Sequence, residues 1–315
     1  MWKTLCLTIL LLINVNSKLV AIQRKQKHIT VNPVIAGDNS KIKDDEVTFY
    51  LYNTKVNNYK VNVEDNGKKF YEKDGVKILI HGWGGDNETF WYSPMRSAYV
   101  KKGFNVVLVD WSLEAQTNFN NAVNKIPFIA EVITQFVIEL SKTIVIEQFH
   151  LIGHCLGAHI AGVVGKKMFS QNHEKIWRIT GLDPTGLSFN HIKDTKRLSK
   201  DDAVHVDTIL TDSGLNGMGL NRTIGQINFF PNGGIASQPG CLRFPCSHNR
   251  AALYFQESIT SKNFIARKCD NFLHYTNKKC SNNLVNILGD KTYLDVKGDF
   301  YLSTSSQSPF GLGDT

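Results

Sequence analysis

The chain has 315 residues, 42% of them hydrophobic, and its 36 Lys and Arg against 28 Asp and Glu give a formal net charge of +8. That is enough apolar sequence for one large α/β domain, and no second domain is needed. The lysines fall in ones and twos with no dense basic block, which argues against a nucleic-acid partner, while a mildly basic surface suits an anionic lipid interface and ordinary solubility about equally.

Residues 1–17 carry one early lysine, an apolar run from Leu5 to Val15, and Val15 and Ser17 at the −3 and −1 positions of a cleavage site. The run is too short to span a membrane, so these residues are expected to be a secretory signal peptide, with no transmembrane segment in the mature chain. Its removal takes away Lys3 and Cys6, so the net charge falls from +8 to +7, and of six cysteines five remain. Five is an odd number. In an oxidising compartment Cys241, Cys246, Cys269 and Cys280 supply two bridges, in a pairing the count leaves open, and Cys155 is left as a free thiol. Asn87-Glu88-Thr89 and Asn221-Arg222-Thr223 are sequons for N-glycosylation, in keeping with secretion.

Residues 18–45 are polar and contain Pro33, and are expected to form an N-terminal arm, with a single domain over residues 46–315. Residues 46–52 alternate and are rich in β-formers, predicting a strand with one wet face. Val76–Ile80 reads as a core strand that runs into His81-Gly82-Trp83-Gly84-Gly85, a turn whose backbone N–H groups can point above a sheet as an oxyanion hole requires. Residues 105–111 predict the next apolar strand. Residues 126–146, with Ile129, Val132, Ile133, Phe136, Val137 and Leu140 at helical spacing, predict a helix with Pro127 near its start. Strand and helix alternating at this cadence predict a parallel sheet with helices on its faces.

The stretch 149–162 reads as a buried strand, a tight turn and a helix. Its turn, Gly153-His154-Cys155-Leu156-Gly157, has the spacing of the G-x-S-x-G nucleophile elbow with cysteine in the serine's place. Glycines relieve the clashes of a strained strand-to-helix turn, and a thiolate at the first turn of a helix meets the positive end of its dipole. Taken alone, the pattern also fits a buried structural cysteine. Further on, residues 178–184 predict a strand ending in Asp183, residues 205–212 an alternating strand, and His248 is expected in a later loop beside Cys246. Nucleophile, acid and histidine thus follow the chain order of α/β-hydrolases.

Taken together these pieces resemble the pancreatic-lipase-type animal lipases and their short, single-domain insect relatives, including venom sn-1 phospholipases. The matching segments are His81-Gly82-Trp83, Asp110-Trp111-Ser112, the run from Leu151 to His159, Thr180-Gly181-Leu182-Asp183-Pro184, Val206 to Asp212, Phe230-Pro231-Asn232-Gly233-Gly234, Gln238-Pro239-Gly240-Cys241 and Cys246-Ser247-His248. They keep the family's order from about residue 76 to residue 270. The resemblance implies an α/β-hydrolase fold, a mostly parallel sheet with helices on both faces. It places the nucleophile on Cys155, the orienting acid on Asp183, the general base on His248, and the oxyanion donors on the backbone of Trp83 and Leu156. It also implies disulfides Cys241–Cys246 and Cys269–Cys280, a lipid substrate or lipid surface as partner, and no cofactor. No residues follow Thr315 for the lipid-binding β-sandwich that vertebrate members append, so that domain is not expected.

Three departures from the family stand out. Cysteine replaces serine: a thiolate attacks carbonyls readily but is a far better leaving group than an alkoxide, so the tetrahedral intermediate collapses backwards unless the imidazolium protonates the departing alcohol promptly. The larger sulfur also shifts the oxyanion, and a misplacement near ~1 Å can cost about 10²-fold, a lost oxyanion donor about 10²–10³-fold. The lid is cut to Leu242-Arg243-Phe244-Pro245, as in the sn-1 phospholipases, which predicts an open site. The family's structural calcium lies on the segment matching residues 194–202, where Ser199 stands in place of a carboxylate, so no metal is expected. Two functions follow: a secreted, phospholipase A1-like ester hydrolase working through an acyl-enzyme on Cys155, or a catalytically silent lipase-fold protein that binds lipid or a partner.

Overall fold

The computed structural model describes residues 46–61, 68–71, 75–214 and 217–314, so the expected leader and N-terminal arm lie outside the described residues. In chain order the elements are β1 (Thr48–Tyr52), β2 (Tyr59–Lys60), β3 (Val76–Ile80), α1 (Tyr92–Lys101), β4 (Asn105–Asp110), α2 (Ser112–Ala115), α3 (Phe119–Ser141), β5 (Phe149–His154), α4 (Leu156–Asn172), β6 (Arg178–Leu182), β7 (His205–Ile209), β8 (Ile227–Pro231), α5 (Cys246–Ser258), β9 (Ile265–Lys268), α6 (Phe272–Thr276), β10 (Val285–Ile287) and β11 (Gly298–Leu302). The strands join one sheet in the order β10-β9-β11-β8-β7-β6-β5-β3-β4-β1-β2. From β11 to β4 every neighbouring pair is parallel, and antiparallel strands flank that run at both ends.

Strands buried on both faces explain the near-continuous apolar runs in β3, β4 and β5. Alternation along each strand sorts the side chains between two cores. Ile78, Ile80, Leu151, Ile179 and Val206 face α3 and α4, where they meet Ile133, Val137, Ile160 and Val164. Leu79, Ile152, Leu182 and Ile209 face the other way, toward Trp91, Met95 and Tyr99 of the α1 region and Ala252 and Phe255 of α5. Helices thus cover both faces, and the carboxyl ends of the strands are left to carry the loops.

The register sets those loops side by side. Ile80 pairs with Gly153, Gly153 with Gly181, and Leu182 with Ile209, so β3, β5, β6 and β7 end at one level. The residues that follow immediately, His81, Cys155, Asp183 and the Leu210–Asp212 segment, therefore emerge along one edge.

Two elements differ from the sequence expectation. The predicted helix over residues 126–146 begins earlier, at Phe119, because the Asn118 side chain caps it by accepting the Asn121 N–H at 3.0 Å, and it ends at Ser141. Pro127 is consequently interior to α3, where it has no N–H to donate to the Val123 carbonyl four residues back. The strand expected over residues 205–212 stops at Ile209 and is buried on both faces, as a central parallel strand must be. Among the described residues no helix is long and apolar enough to cross a membrane.

Candidate active site

Cys155 occupies the junction of β5 and α4 with φ 57° and ψ −118°, a conformation most L-residues avoid. The flanking glycines are sterically required. A Cβ on Gly153 would lie 2.2 Å from the Gly157 carbonyl oxygen, and one on Gly157 would lie 2.2 Å from the Ile80 carbonyl oxygen. Strand, elbow and the neighbouring β3 are packed backbone to backbone, which holds the strained turn in place. Cys155 is itself buried, and among the described residues it is the one free cysteine.

The His81-Gly82-Trp83 turn lies directly against this thiol, since a Cβ on Gly82 would fall 2.6 Å from Cys155 Cβ and 3.4 Å from its Sγ. The backbone N–H groups of Trp83 and Leu156 donate to no described residue, which leaves both available to an anion beside Cys155. A dense set of contacts fixes the turn. The His81 ring stacks on Trp111 at 5.2 Å, donates from Nδ1 to the Gly82 carbonyl at 2.9 Å and accepts the Trp111 N–H at Nε2 at 3.2 Å. Trp111 Nε1 donates to the His81 carbonyl at 2.9 Å. The His81 N–H in turn donates to Tyr92 Oη at 2.7 Å, and that hydroxyl faces the carbonyls of Leu79 at 2.9 Å and Val109 at 2.8 Å. Tyr92 thereby ties the ends of β3 and β4 to the turn.

Asp183 follows β6 with φ 40° and is fully buried. Its Oδ1 accepts the backbone N–H groups of Thr211 at 2.7 Å and Asp212 at 3.0 Å, which leaves Oδ2 for His248 Nδ1 at 2.5 Å. His248 lies not in a loop, as the sequence suggests, but near the start of α5, two residues after Cys246, whose bond to Cys241 closes the short loop before it. Burial is the largest single influence on the His248 imidazole and opposes its charge. The neighbouring Cys155 sulfur and the hydrogen bond to Asp183 act against burial and together outweigh it, so the pKa lies well above the usual 6.5. Nε2 is buried, and no described group closes a hydrogen bond of standard geometry with it. The sulfur that most strongly favours its charge therefore sits beside an imidazole nitrogen that is still free to take or give a proton.

The structure thus brings Cys155, Asp183 and His248 together, with the Trp83 and Leu156 backbones alongside. Cys269 is bonded to Cys280 at the far, antiparallel part of the sheet, near Tyr301 and Phe272, and takes no part in this cluster. Two contributors escape a reading of the sequence. Tyr92 looks there like any core tyrosine of an amphipathic helix. His154 is the variable position of the elbow, yet its Nε2–H donates to the His248 carbonyl at 3.2 Å and its ring lies 4.5 Å from that of His248. Burial, with the charge of His248 second, keeps His154 well below the ordinary histidine value, so it is a neutral prop for the other ring.

The family model described as Lipase matches residues 15–310. This chain belongs to the lipase family. Its sheet and elbow are the family's α/β-hydrolase fold. Among its relatives, mouse (Mus musculus) pancreatic triacylglycerol lipase is 31% identical over 264 residues, covering 74% of this chain and 56% of that protein. Lipase member H-B of Xenopus laevis is 36% identical over 190 residues, 57% of this chain and 40% of that one. The human (Homo sapiens) protein named inactive pancreatic lipase-related protein 1 is 30% identical over 232 residues, 65% and 48% respectively. The lipase-family chain therefore spans about half the length of these relatives.

Proposed function

We propose that this chain is a secreted carboxylic ester hydrolase acting on glycerolipids or phospholipids, in the manner of a phospholipase A1, through residues 46–315 as one domain. Cys155 is the nucleophile, His248 the base and then the acid, and Asp183 holds the imidazole. The observation that carries this reading is the half-made relay: Nδ1 of His248 is engaged by Asp183 while Nε2 is unpartnered beside the thiol.

In the first half-reaction the Cys155 sulfur attacks the ester carbonyl while its proton passes to His248 Nε2. The oxyanion forms against the N–H groups of Trp83 and Leu156. His248 returns the proton to the departing alcohol and a thioester to Cys155 remains. Water, deprotonated by His248, then releases the fatty acid and restores the thiol. Because thiolate leaves more easily than alkoxide, productive collapse depends on the proton reaching the alcohol first. An imidazole whose proton affinity is raised by its surroundings keeps the proton taken from Cys155 until the alcohol departs.

The lipid preference rests on the rim. Between the bridged Cys241 and Cys246, Leu242 is 95% exposed and Phe244 75%, two apolar side chains on a short, cross-linked knuckle near His248. A protein in water seldom presents such a pair without an apolar partner, and relatives named pancreatic triacylglycerol lipase support a lipid ester as that partner. Two disulfides support an oxidising, extracellular setting, and exposure of Asn221 suits its use as a glycosylation site.

A second reading, a silent lipase-fold protein that binds lipid, is favoured by the replaced nucleophile atom and by the relative named inactive. Turnover of short-chain esters, long-chain esters, thioesters and phospholipids by the native protein, Cys155→Ala and Cys155→Ser separates the two. The hydrolase reading expects native turnover that Cys155→Ala abolishes. Native and Cys155→Ala proteins equally inert, with turnover appearing in Cys155→Ser, would establish the silent reading for those substrates.

A further inference from the structure

The loop over residues 194–202 presses against α4, the helix that begins at Cys155. Two glycines of α4 permit this approach: a Cβ on Gly162 would lie 2.5 Å from Leu198 Cα, and one on Gly165 would lie 2.1 Å from the Asp202 carbonyl oxygen. Both the carbonyl of Arg197 and the side chain of Asp202 point toward α4, so oxygen atoms converge on the seam. A cation is needed there, and in the family this chain resembles it is calcium.

Here the seam holds an ammonium. Lys166 of α4 directs Nζ to the Arg197 carbonyl at 2.8 Å, to Ser199 Oγ at 3.3 Å and to Asp202 Oδ1, which uses all three of its N–H donors. Asp202 is held in turn by Ser199, which donates from its N–H to Oδ2 at 2.8 Å and from Oγ to Oδ1 at 2.8 Å. Of the loop's other two acids, Asp194 is ion-paired with the guanidinium of Arg197 and Asp201 is exposed.

A calcium ion needs about six to eight oxygens at roughly 2.3–2.6 Å, several of them anionic. Asp194 and Asp202 are both committed, the third position is a hydroxyl, and a divalent ion placed among these oxygens would meet the Lys166 charge at contact. Among the described residues no cluster of three metal-capable side chains forms here. The residues do not fit the metal.

We propose that Lys166 is the resident cation of this seam, a positive charge carried on the nucleophile's own helix, so that the 194–202 loop is locked to α4 without calcium. Lys166 lies eleven residues, roughly 16 Å along the axis, from Cys155. The lock therefore steadies the far part of the helix whose first turn forms the elbow. The same loop also grips α4 closer to the elbow, where His159 accepts the Leu198 N–H at 3.3 Å and donates to the Thr185 carbonyl at 2.9 Å, two residues after Asp183. Lysine and serine are a matched pair in this account: the ammonium supplies the charge, and the shortened, neutral Ser199 leaves it room.

The test uses the full mature chain and reads binding and unfolding, not turnover. Calorimetric titration of calcium into chelator-treated native protein should give no binding heat, and the thermal midpoint should be the same in calcium and in EGTA. Lys166→Met should lower the midpoint by roughly 5–10 °C, since it leaves Asp202 uncompensated. Combining Lys166→Met with Ser199→Asp should create a midpoint that rises when calcium is added. Stoichiometric calcium binding by the native chain, a native midpoint that falls in EGTA, an unchanged midpoint in Lys166→Met, or a double variant blind to calcium would each overturn the proposal. If Lys166→Met fails to fold, the native titration decides alone.

Discussion

One face of the sheet carries two buried polar clusters that differ in hydrogen-bond satisfaction and in backbone strain. Toward the amino ends of the strands, Arg178 engages Asp207 through Nε at 2.7 Å and Nη2 at 3.0 Å, and donates to the Gly289 carbonyl at 2.7 Å. Beside it Lys77 donates to His150 Nδ1 at 3.2 Å, His150 Nε2 to Thr180 Oγ1 at 2.8 Å, and Thr180 to Asp207 at 3.0 Å, while Tyr99 donates to Asp290 at 2.8 Å. Each of these polar atoms has its partner. At the carboxyl ends, by contrast, His248 Nε2 and Thr211 Oγ1 are buried without one, and Cys155 and Asp183 both have positive φ. A satisfied network braces the sheet, whereas an unsatisfied one holds groups ready for a molecule that has yet to arrive.

Exchanging an acid in each cluster gives the widest separation. Asp183→Asn keeps the shape but leaves His248 without a partner that fixes its tautomer and stabilises its charge. Under the proposed hydrolase reading turnover should fall by about 10⁴-fold, with the thermal midpoint little changed. Steady-state hydrolysis of whichever ester the native protein accepts, run beside an unfolding curve, checks this. A fall in stability matching the fall in rate would mean that the site cluster is a brace like the other.

Arg178→Met makes the reverse case. It strands Asp207 in a buried site, and removing one partner of a buried pair costs about 3–5 kcal/mol. The midpoint of denaturant unfolding should shift accordingly, while the Km of the surviving folded protein stays near the native value.

Tyr92→Phe falls between, because Tyr92 joins the bracing strands to the turn beside Cys155. The lost hydroxyl leaves the His81 N–H unsatisfied, a cost of about 1–3 kcal/mol. A displaced turn should also lower kcat more than it raises Km, since in the proposed mechanism the Trp83 N–H serves the oxyanion and not the bound ester. Native kcat in the folded variant would show that the tyrosine only braces.

The legibility of these regions follows from how far their causes reach along the chain. The central strands declare themselves because each is a local apolar run, and the Gly153-x-Cys155-x-Gly157 spacing declares the elbow because its sterics involve neighbours. Chain order then singles out Asp183 and His248. Lys166, Tyr92 and His154 were silent because their partners lie 36, 11 and 94 residues away, and at the level of sequence each is an ordinary helix or strand residue. The early start of α3 was hidden for a different reason. Its first turns, Phe119-Asn120-Asn121, lack apolar spacing, so Pro127 passed for a helix opener when the cap was Asn118.

The smallest effect is also the one that reads both clusters in a single measurement, the dependence of unfolding on pH. Burial, with Asp290 pulling the other way, lowers Lys77 from 10.5 to about 8. Between those values the unfolded chain holds a proton that the folded chain has released, so this cluster contributes a stability that rises with pH from about 8 to 10.5. His248 has the opposite sign. Its folded pKa stands well above 6.5, so its contribution is complete below 6.5 and is lost as pH climbs through the folded value. Unfolding midpoints taken across this range should therefore lose their alkaline rise in Lys77→Met and show a smaller fall above 6.5 in Cys155→Ala, which removes one neighbour that favours imidazolium and leaves Asp183. If Lys77→Met flattened both slopes, the two clusters would be electrostatically one, and the distinction between brace and reactive site would have to be drawn from strain and unmade hydrogen bonds alone.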